Sequence, residues 1–135
     1  MHYTIDISDK LKIIACNKGD AAKTTTAVNV AIGLALQGHD VCLVDADAQR
    51  SASRWYAVRE QADMSPTLTL IEKREARSEK REARSEKRDN ISQTLRNLDQ
   101  KYSHVIVDVA GRNSRELITG GTVAHQIICT SSDLI

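Results

Sequence analysis

The residues best suited to chemistry lie in the segment Lys18–Thr25, which reads Lys-Gly-Asp-Ala-Ala-Lys-Thr-Thr. It follows an apolar run that ends at Cys16 and precedes an amphipathic run that begins at Ala27. A strand, a short loop and a helix in this order form a phosphate-binding cradle, because loop N–H groups and the helix N-terminus create positive potential. Lys23 can then reach β- and γ-phosphates, and the hydroxyl of Thr24 can bind Mg²⁺.

Two further motifs place carboxylates at the ends of apolar strands. Val41–Gln49 contains Asp45 and Asp47, and Val105–Arg112 contains Asp108. Such an aspartate, taken alone, is explained equally well as a helix cap. Because the carboxyl ends of parallel strands share one edge of a sheet, we expect these aspartates to meet the phosphate-binding loop there.

The three motifs together resemble those of the ParA/MinD family of deviant Walker ATPases, whose loop reads Lys-Gly-Gly-x-Gly-Lys-Thr-Thr. The second motif resembles the family's Asp-x-Asp-Pro-Gln block, and the third resembles its Walker B strand and switch. The resemblance implies an α/β, P-loop NTPase-like fold with a mostly parallel sheet flanked by helices. In the loop, the chain matches the family pattern at Lys18, Gly19, Lys23, Thr24 and Thr25.

The resemblance also implies a role for each loop residue. Lys23 would bind the β- and γ-phosphates, Thr24 the magnesium ion and Thr25 the α-phosphate region. Gly19 would belong to the nucleotide-binding backbone. Lys18 would reach across a dimer interface to the partner's nucleotide and neutralise transition-state charge. Without the resemblance, Lys18 would be interpreted as a solvated loop lysine.

The other two motifs carry the remaining implied roles. Asp108 would hold Mg²⁺ through water, and Asp47 would orient the attacking water. Gly111 and Arg112 occupy the position at which the family's switch senses the γ-phosphate. The implied function is an ATPase with ATP and Mg²⁺ as cofactors, which dimerises in response to ATP. A ParB-like adaptor and non-specific DNA are the implied partners, used in segregating plasmid or chromosomal DNA.

The loop departs from the family pattern at Asp20 and Ala22, where glycine is usual. Asp20 places a carboxylate where backbone should approach the phosphates, and at ~5 Å and an effective dielectric of ~20 a like-charge pair costs roughly 3 kcal/mol. That energy corresponds to more than about a hundredfold in affinity. We therefore expect weak or absent ATP binding and no ATP-dependent dimer. An impaired partition ATPase and a non-enzymatic α/β remnant that at most binds a partner both stay open.

The chain alternates strand and helix patterns. Gly38 is expected to end the first helix, and Trp55 and Tyr56 are expected to pack in the second. The predicted strands span 11–16, 41–45, 68–71, 104–109 and 126–130, and the predicted helices span 23–37, 52–62, 91–102 and 114–121.

The length of 135 residues predicts a single domain covering residues 1–135. Members of the resembled family are considerably longer, so a fold truncated at its C-terminus is expected. Three cysteines, Cys16, Cys42 and Cys129, fall in predicted buried strands without paired spacing, which argues against disulfides or zinc and suits a reducing cytoplasm. No apolar run is long enough to predict a membrane span.

A charged heptad repeat occupies Glu72–Arg88, where Glu-Lys-Arg-Glu-Ala-Arg-Ser occurs twice and begins a third time. This insert holds eight Lys/Arg and five Glu, which leaves the rest of the chain slightly acidic despite the net charge of +1. Like charges recur three and four residues apart and repel, and the heptad has no apolar seam. A solvated helix or disordered insert is one interpretation, and a basic contact with DNA or acidic lipid is the alternative.

The Asp20→Gly variant tests the electrostatic argument about the loop. Removing the carboxylate should tighten the binding of Mg·ATP by at least about tenfold, since a like-charge contact with the phosphates is lost. Isothermal titration calorimetry on both proteins measures this difference. Equal affinities would contradict the argument.

Overall fold

Strands and helices alternate in the computed structural model, which describes residues 11–16, 23–73, 91–109 and 126–130, with the backbone alone for 11–16 and 126–130. The strands are β1 (Leu11–Cys16), β2 (Val41–Asp45), β3 (Thr69–Glu72), β4 (His104–Asp108) and β5 (Gln126–Thr130). The helices are α1 (Lys23–Leu36), α2 (Ser51–Gln61) and α3 (Ile91–Lys101). Each of these eight elements was expected from the sequence, with ends that differ by at most one residue.

The five strands form one sheet in the order β3-β2-β4-β1-β5, and every neighbouring pair is parallel. The expected α/β fold with a parallel sheet is therefore confirmed. All carboxyl ends lie at one edge, and the register places Asp45 of β2 directly beside Asp108 of β4. The sheet itself thus brings the ends of the second and third motifs together.

Apolar side chains cover both faces of the central strands, as is typical of a parallel sheet with helices on each side. Alternate residues of β2 point to opposite faces. Val41 and Leu43 pack with α1 and α2, whereas Cys42 and Val44 pack with α3. The α3 side is completed by Ile91, Leu95 and Leu98, all buried as the helical spacing predicted.

The C-terminal end of α1 is fixed by Gly38, which has a φ of +92°. The N–H of Gly38 donates to the carbonyl of Ala35 at 3.0 Å, and that of His39 donates to the carbonyl of Leu34 at 3.1 Å. This pair of bonds is a Schellman motif, in which a left-handed residue ends the helix without the steric cost of a Cβ. The expected end of the first helix is confirmed.

Trp55 and Tyr56 of α2 are half-buried against the apolar side chains that lie between α1, α2 and the sheet, which confirms their expected packing role. Tyr56 donates its hydroxyl to the carbonyl of Leu68 at 3.1 Å. Arg59 lies over the Trp55 ring, with 5.1 Å between the guanidinium carbon and the ring centroid. These contacts attach α2 to the segment that leads into β3.

The side chain of Cys42 is buried and forms no disulfide. Burial, with a smaller contribution from the negative charge of Asp40, raises the pKa of this thiol to about 12. The thiol therefore stays protonated at neutral pH and behaves as a small apolar side chain. This agrees with the burial expected for Cys42.

Several sequence-based expectations fall on residues outside the described part of the chain. They concern the helix at 114–121 and the heptad repeat from position 74 onward. Across the described segments, no helix combines the length and the hydropathy needed to cross a membrane.

Candidate functional site

Lys23 is the first residue of α1 and lies at the carboxyl edge of the sheet with 1% of its surface exposed. Its Nζ lies 2.7 Å from Oδ2 of Asp47. It also donates a hydrogen bond to Oδ1 of Asp108. A lysine can be buried to this degree when its charge is paired and hydrogen-bonded, and both carboxylates do so here.

Asp108 connects the end of β4 to the start of α1. Its side chain is fully buried. One carboxylate oxygen accepts from Lys23, and the other accepts from the hydroxyl of Thr24 at 3.0 Å. Lys23 and Thr24 of the first motif are therefore both held by Asp108 of the third motif, the last residue of β4.

Asp47 lies in the loop that follows β2, and this loop places its carboxylate next to Lys23. Oδ1 of Asp45 accepts the backbone N–H of Asp47 at 3.1 Å, and Oδ1 of Asp47 accepts the N–H of Gln49 at 3.0 Å. The N–H of Ala46 donates to the carbonyl of Asp108 at 2.9 Å. The loop is thus attached by its backbone to the ends of both β2 and β4.

The N-terminus of α2 is capped by Asp45, which lies at the end of β2 and not at the N-cap position. Arg50 occupies the N-cap position in the left-handed conformation, with φ 60°, and forms no side-chain cap. Instead, Oδ2 of Asp45 accepts the N–H of Ser53 at 2.9 Å and also its hydroxyl. The same hydroxyl lies 2.6 Å from Oε1 of Glu72 at the end of β3. Asp45 therefore supplies the anionic oxygen that a local Ser or Asp usually provides at a helix N-terminus.

Burial and charge act against each other on Lys23. Burial alone would lower its pKa, but the charges and hydrogen bonds of Asp108 and Asp47 outweigh this effect and raise the pKa above its ordinary value. The pKa of Asp108 is also raised, chiefly by burial and further by the charge of Asp45, although Lys23 and Thr24 oppose the change. Lys23 is therefore a cation at neutral pH.

Two oxygen donors at this edge have the chemistry that suits a magnesium ion. The Thr24 hydroxyl and the Asp108 carboxylate are the hard oxygen donors that Mg²⁺ prefers. Within the described segments, no group of three or more His, Cys, Asp or Glu could hold a metal by itself. Such a site suits Mg²⁺, which commonly binds one or two protein oxygens and takes the rest from phosphate and water.

Four of the sequence-predicted site residues meet in the structure: Lys23, Thr24, Asp47 and Asp108. Thr25 follows Thr24 on α1 and is exposed. Lys18, Gly19 and Gly111, together with the loop positions Asp20 and Ala22, lie outside the described residues.

Sequence reasoning missed the connection from Asp45 to Ser53. The separation of eight residues matches no capping pattern, because the contact depends on how α2 returns to the sheet. The one available signal was a second aspartate in the β2 motif, at the position where the strand ends.

The parallel sheet with flanking helices is that of a P-loop NTPase-like fold. The model of the family described as ATPase MipZ matches residues 10–133. Because this match covers more than half of the chain, the chain belongs to that family of ParA-like ATPases. The expected ParA/MinD relationship is confirmed.

Individual relatives agree with the family assignment. A protein of Sinorhizobium fredii named as a replication protein A is 45% identical over 62 residues, which are 44% of this chain and 15% of the relative. A plasmid partition protein from Borrelia burgdorferi has a similar fold, with a TM-score of 0.67 and 19% identity over 90% of this chain and 65% of that one. FlhF complexed with GMPPNP and Mg²⁺ also matches, with a TM-score of 0.57 and 19% identity over 96% of this chain and 46% of that one.

The chain therefore spans 65% of the length of the solved partition protein and 15% of that of the curated relative. At 19% identity, the two solved structures establish the fold and not the activity.

Alkaline pH should weaken the Lys23 contacts. Because its pKa in the folded chain is raised from 10.5, its stabilising contribution is complete below that pH and is lost as the pH rises through the folded value. The free energy of unfolding should therefore fall more steeply above about pH 10.5 in this chain than in Lys23→Met. Urea unfolding followed by circular dichroism measures both slopes, with Lys101→Met, an exposed lysine of α3, as the control. Parallel pH profiles for the chain and Lys23→Met would contradict the pairing.

Proposed function

We propose that this chain carries the Mg·ATP site of a ParA-like partition ATPase, formed by Lys23, Thr24 and Asp108. The observation that supports this most strongly is that Asp108 holds both Lys23 and Thr24 at the N-terminus of α1. In a P-loop site, these two neighbours face the β/γ-phosphates and the metal. The family membership supports the same assignment.

Each residue of the cluster takes a distinct part in this proposal. Lys23 would neutralise the β- and γ-phosphates, because a buried ammonium interacts strongly with charge in a low-dielectric site. Thr24 and Asp108 would hold Mg²⁺, with Thr25 near the α-phosphate. When bound, the ion supplies neutralisation of phosphate charge. Asp47 would orient water for attack on the γ-phosphate.

The loop residues outside the described segments complete the proposal. Gly19 would contribute backbone to the phosphates, Lys18 would act across an ATP-dependent homodimer, and Gly111 would sense the γ-phosphate. For the whole protein, the proposal extends to ATP hydrolysis in the cytoplasm, a ParB-like adaptor and non-specific DNA.

Two features make the proposed nucleotide affinity low. Asp20 adds a negative charge to the loop itself. In the cluster, Asp47 and Asp108 both pair with the ammonium of Lys23, and a third carboxylate, that of Asp45, lies beside Asp108 on the neighbouring strand. Because a triphosphate is itself strongly anionic, it meets repulsion from the carboxylates unless Mg²⁺ accompanies it.

Titration calorimetry with Mg·ATP tests the proposed site. Lys23→Gln should lower the affinity by about tenfold or more, since one charge-assisted contact with phosphate is lost. Chelating Mg²⁺ with EDTA should reduce binding in a similar way. To enhance the signal, the same substitutions are also made in the Asp20→Gly background.

Controls separate loss of binding from loss of folding. Lys101→Gln removes an exposed lysine from α3 and should leave the affinity unchanged. Thr24→Val removes the metal-binding hydroxyl while keeping the side-chain shape, and it should weaken binding even if Lys23→Gln proves too unstable to measure. The proposal is wrong if neither the chain nor Asp20→Gly binds Mg·ATP, or if Lys23→Gln and Thr24→Val both bind as tightly as their parent.

A further inference from the structure

The Lys23–Asp47 pair is the contact in the site that a phosphate-binding role does not explain. Nζ and Oδ2 lie 2.7 Å apart, and the two side chains are 2% and 5% exposed. An ammonium has three N–H groups. With Asp47 and Asp108 both bound to Nζ, only one of these N–H groups remains for another anion.

Asp47 is held in this position by contacts behind it. Its other carboxylate oxygen accepts the N–H of Gln49, and its own N–H donates to Asp45. Asp45 in turn accepts the N–H and the hydroxyl of Ser53 at the start of α2. The Lys23–Asp47 pair is therefore linked through a series of hydrogen bonds to the start of α2.

The two carboxylates on Lys23 differ in how easily they can move. Asp108 ends β4, which lies between β2 and β1 in the sheet, and its second oxygen is bound to Thr24. Asp47 lies outside the strands, in the loop that contains the left-handed residue Arg50. If a phosphate takes the place of one carboxylate, Asp47 is the partner that can leave.

We infer that Asp47, positioned by Asp45 and Ser53, competes with phosphate for Lys23, so that a phosphate ligand binds only as the Lys23–Asp47 pair opens. This inference rests on the proposed nucleotide site and assigns Asp45 as a positioning residue. If Asp47 competes with phosphate, removing its charge should increase the affinity for phosphate. If Asp47 only contacted the phosphate or its attacking water, removing its charge would leave the affinity equal or lower it.

Asp47→Asn tests the inference directly. The asparagine can still accept from Gln49, but its NH₂ group cannot accept from Lys23, so the pair is broken with little change in shape. We expect the affinity for Mg·ATP and for inorganic triphosphate to rise by about tenfold, the value of one charge-assisted contact. Asp45→Asn should act in the same direction with a smaller effect. Asp63→Asn, an exposed carboxylate beyond α2, is the matched control and should change neither affinity.

A second readout does not depend on ligand binding. Acetylation of Lys23 by acetic anhydride under native conditions, followed by mass spectrometry, reports how accessible the ammonium is. We expect faster acetylation of Lys23 in Asp47→Asn than in the parent or in Asp63→Asn, with circular dichroism confirming that each variant is folded.

The outcomes separate the inference from the proposed function. Faster acetylation with a gain in triphosphate affinity, but no response to Mg·ATP, supports the inference and contradicts the nucleotide site. Mg·ATP binding that depends on Lys23 but is equal or weaker in Asp47→Asn overturns the inference and leaves the nucleotide site standing. Acetylation and affinities that match those of Asp63→Asn also overturn the inference.

Discussion

One ammonium is buried between two carboxylates at the carboxyl edge of the sheet. In the described part of this domain, this interaction determines how the elements at that edge are assembled. Lys23 can occupy a position with 1% exposure because Asp47 and Asp108 both bind it. Removing one partner from a buried ion pair typically costs about 3–5 kcal/mol, since the other charge is left without compensation. The start of α1, the end of β4 and the loop after β2 are therefore fixed relative to one another by the same charge.

The parallel register creates a second constraint, because it places Asp45 and Asp108 side by side on neighbouring strands. Two adjacent buried carboxylates repel, yet their hydrogen bonds are directed to different elements. Asp108 accepts from Lys23 and Thr24 of α1, whereas Asp45 accepts from Asp47 and from Ser53 of α2. The N-termini of both helices on this face of the sheet are thus connected to the same pair of strand-end carboxylates.

Much of this arrangement follows from the sequence, because its signals are local. The strand–loop–helix order and Gly38 predict α1, and apolar runs ending in aspartate predict β2 and β4. Lys23 and the three aspartates Asp45, Asp47 and Asp108 could therefore be placed at one edge. The contact of Asp45 with Ser53 and the direct pairing of Asp47 with Lys23 could not be predicted, since they depend on the path of the chain between sheet and helix. The first helical residue of α2, Ser51 and not Ala52, was missed for a related reason: its cap comes from Asp45 and not from a neighbouring residue.

The assembly of this edge of the sheet depends on the buried, paired state of the Lys23 ammonium. Nuclear magnetic resonance of the chain labelled with ¹⁵N-lysine can observe this state directly. A buried, doubly paired ammonium exchanges its protons with water slowly, so we predict one protected Nζ signal that is absent in Lys23→Gln and that shifts when Mg·ATP is added. If no protected signal belongs to Lys23, or if the signal is insensitive to Mg·ATP at concentrations where calorimetry detects binding, the central claim is contradicted.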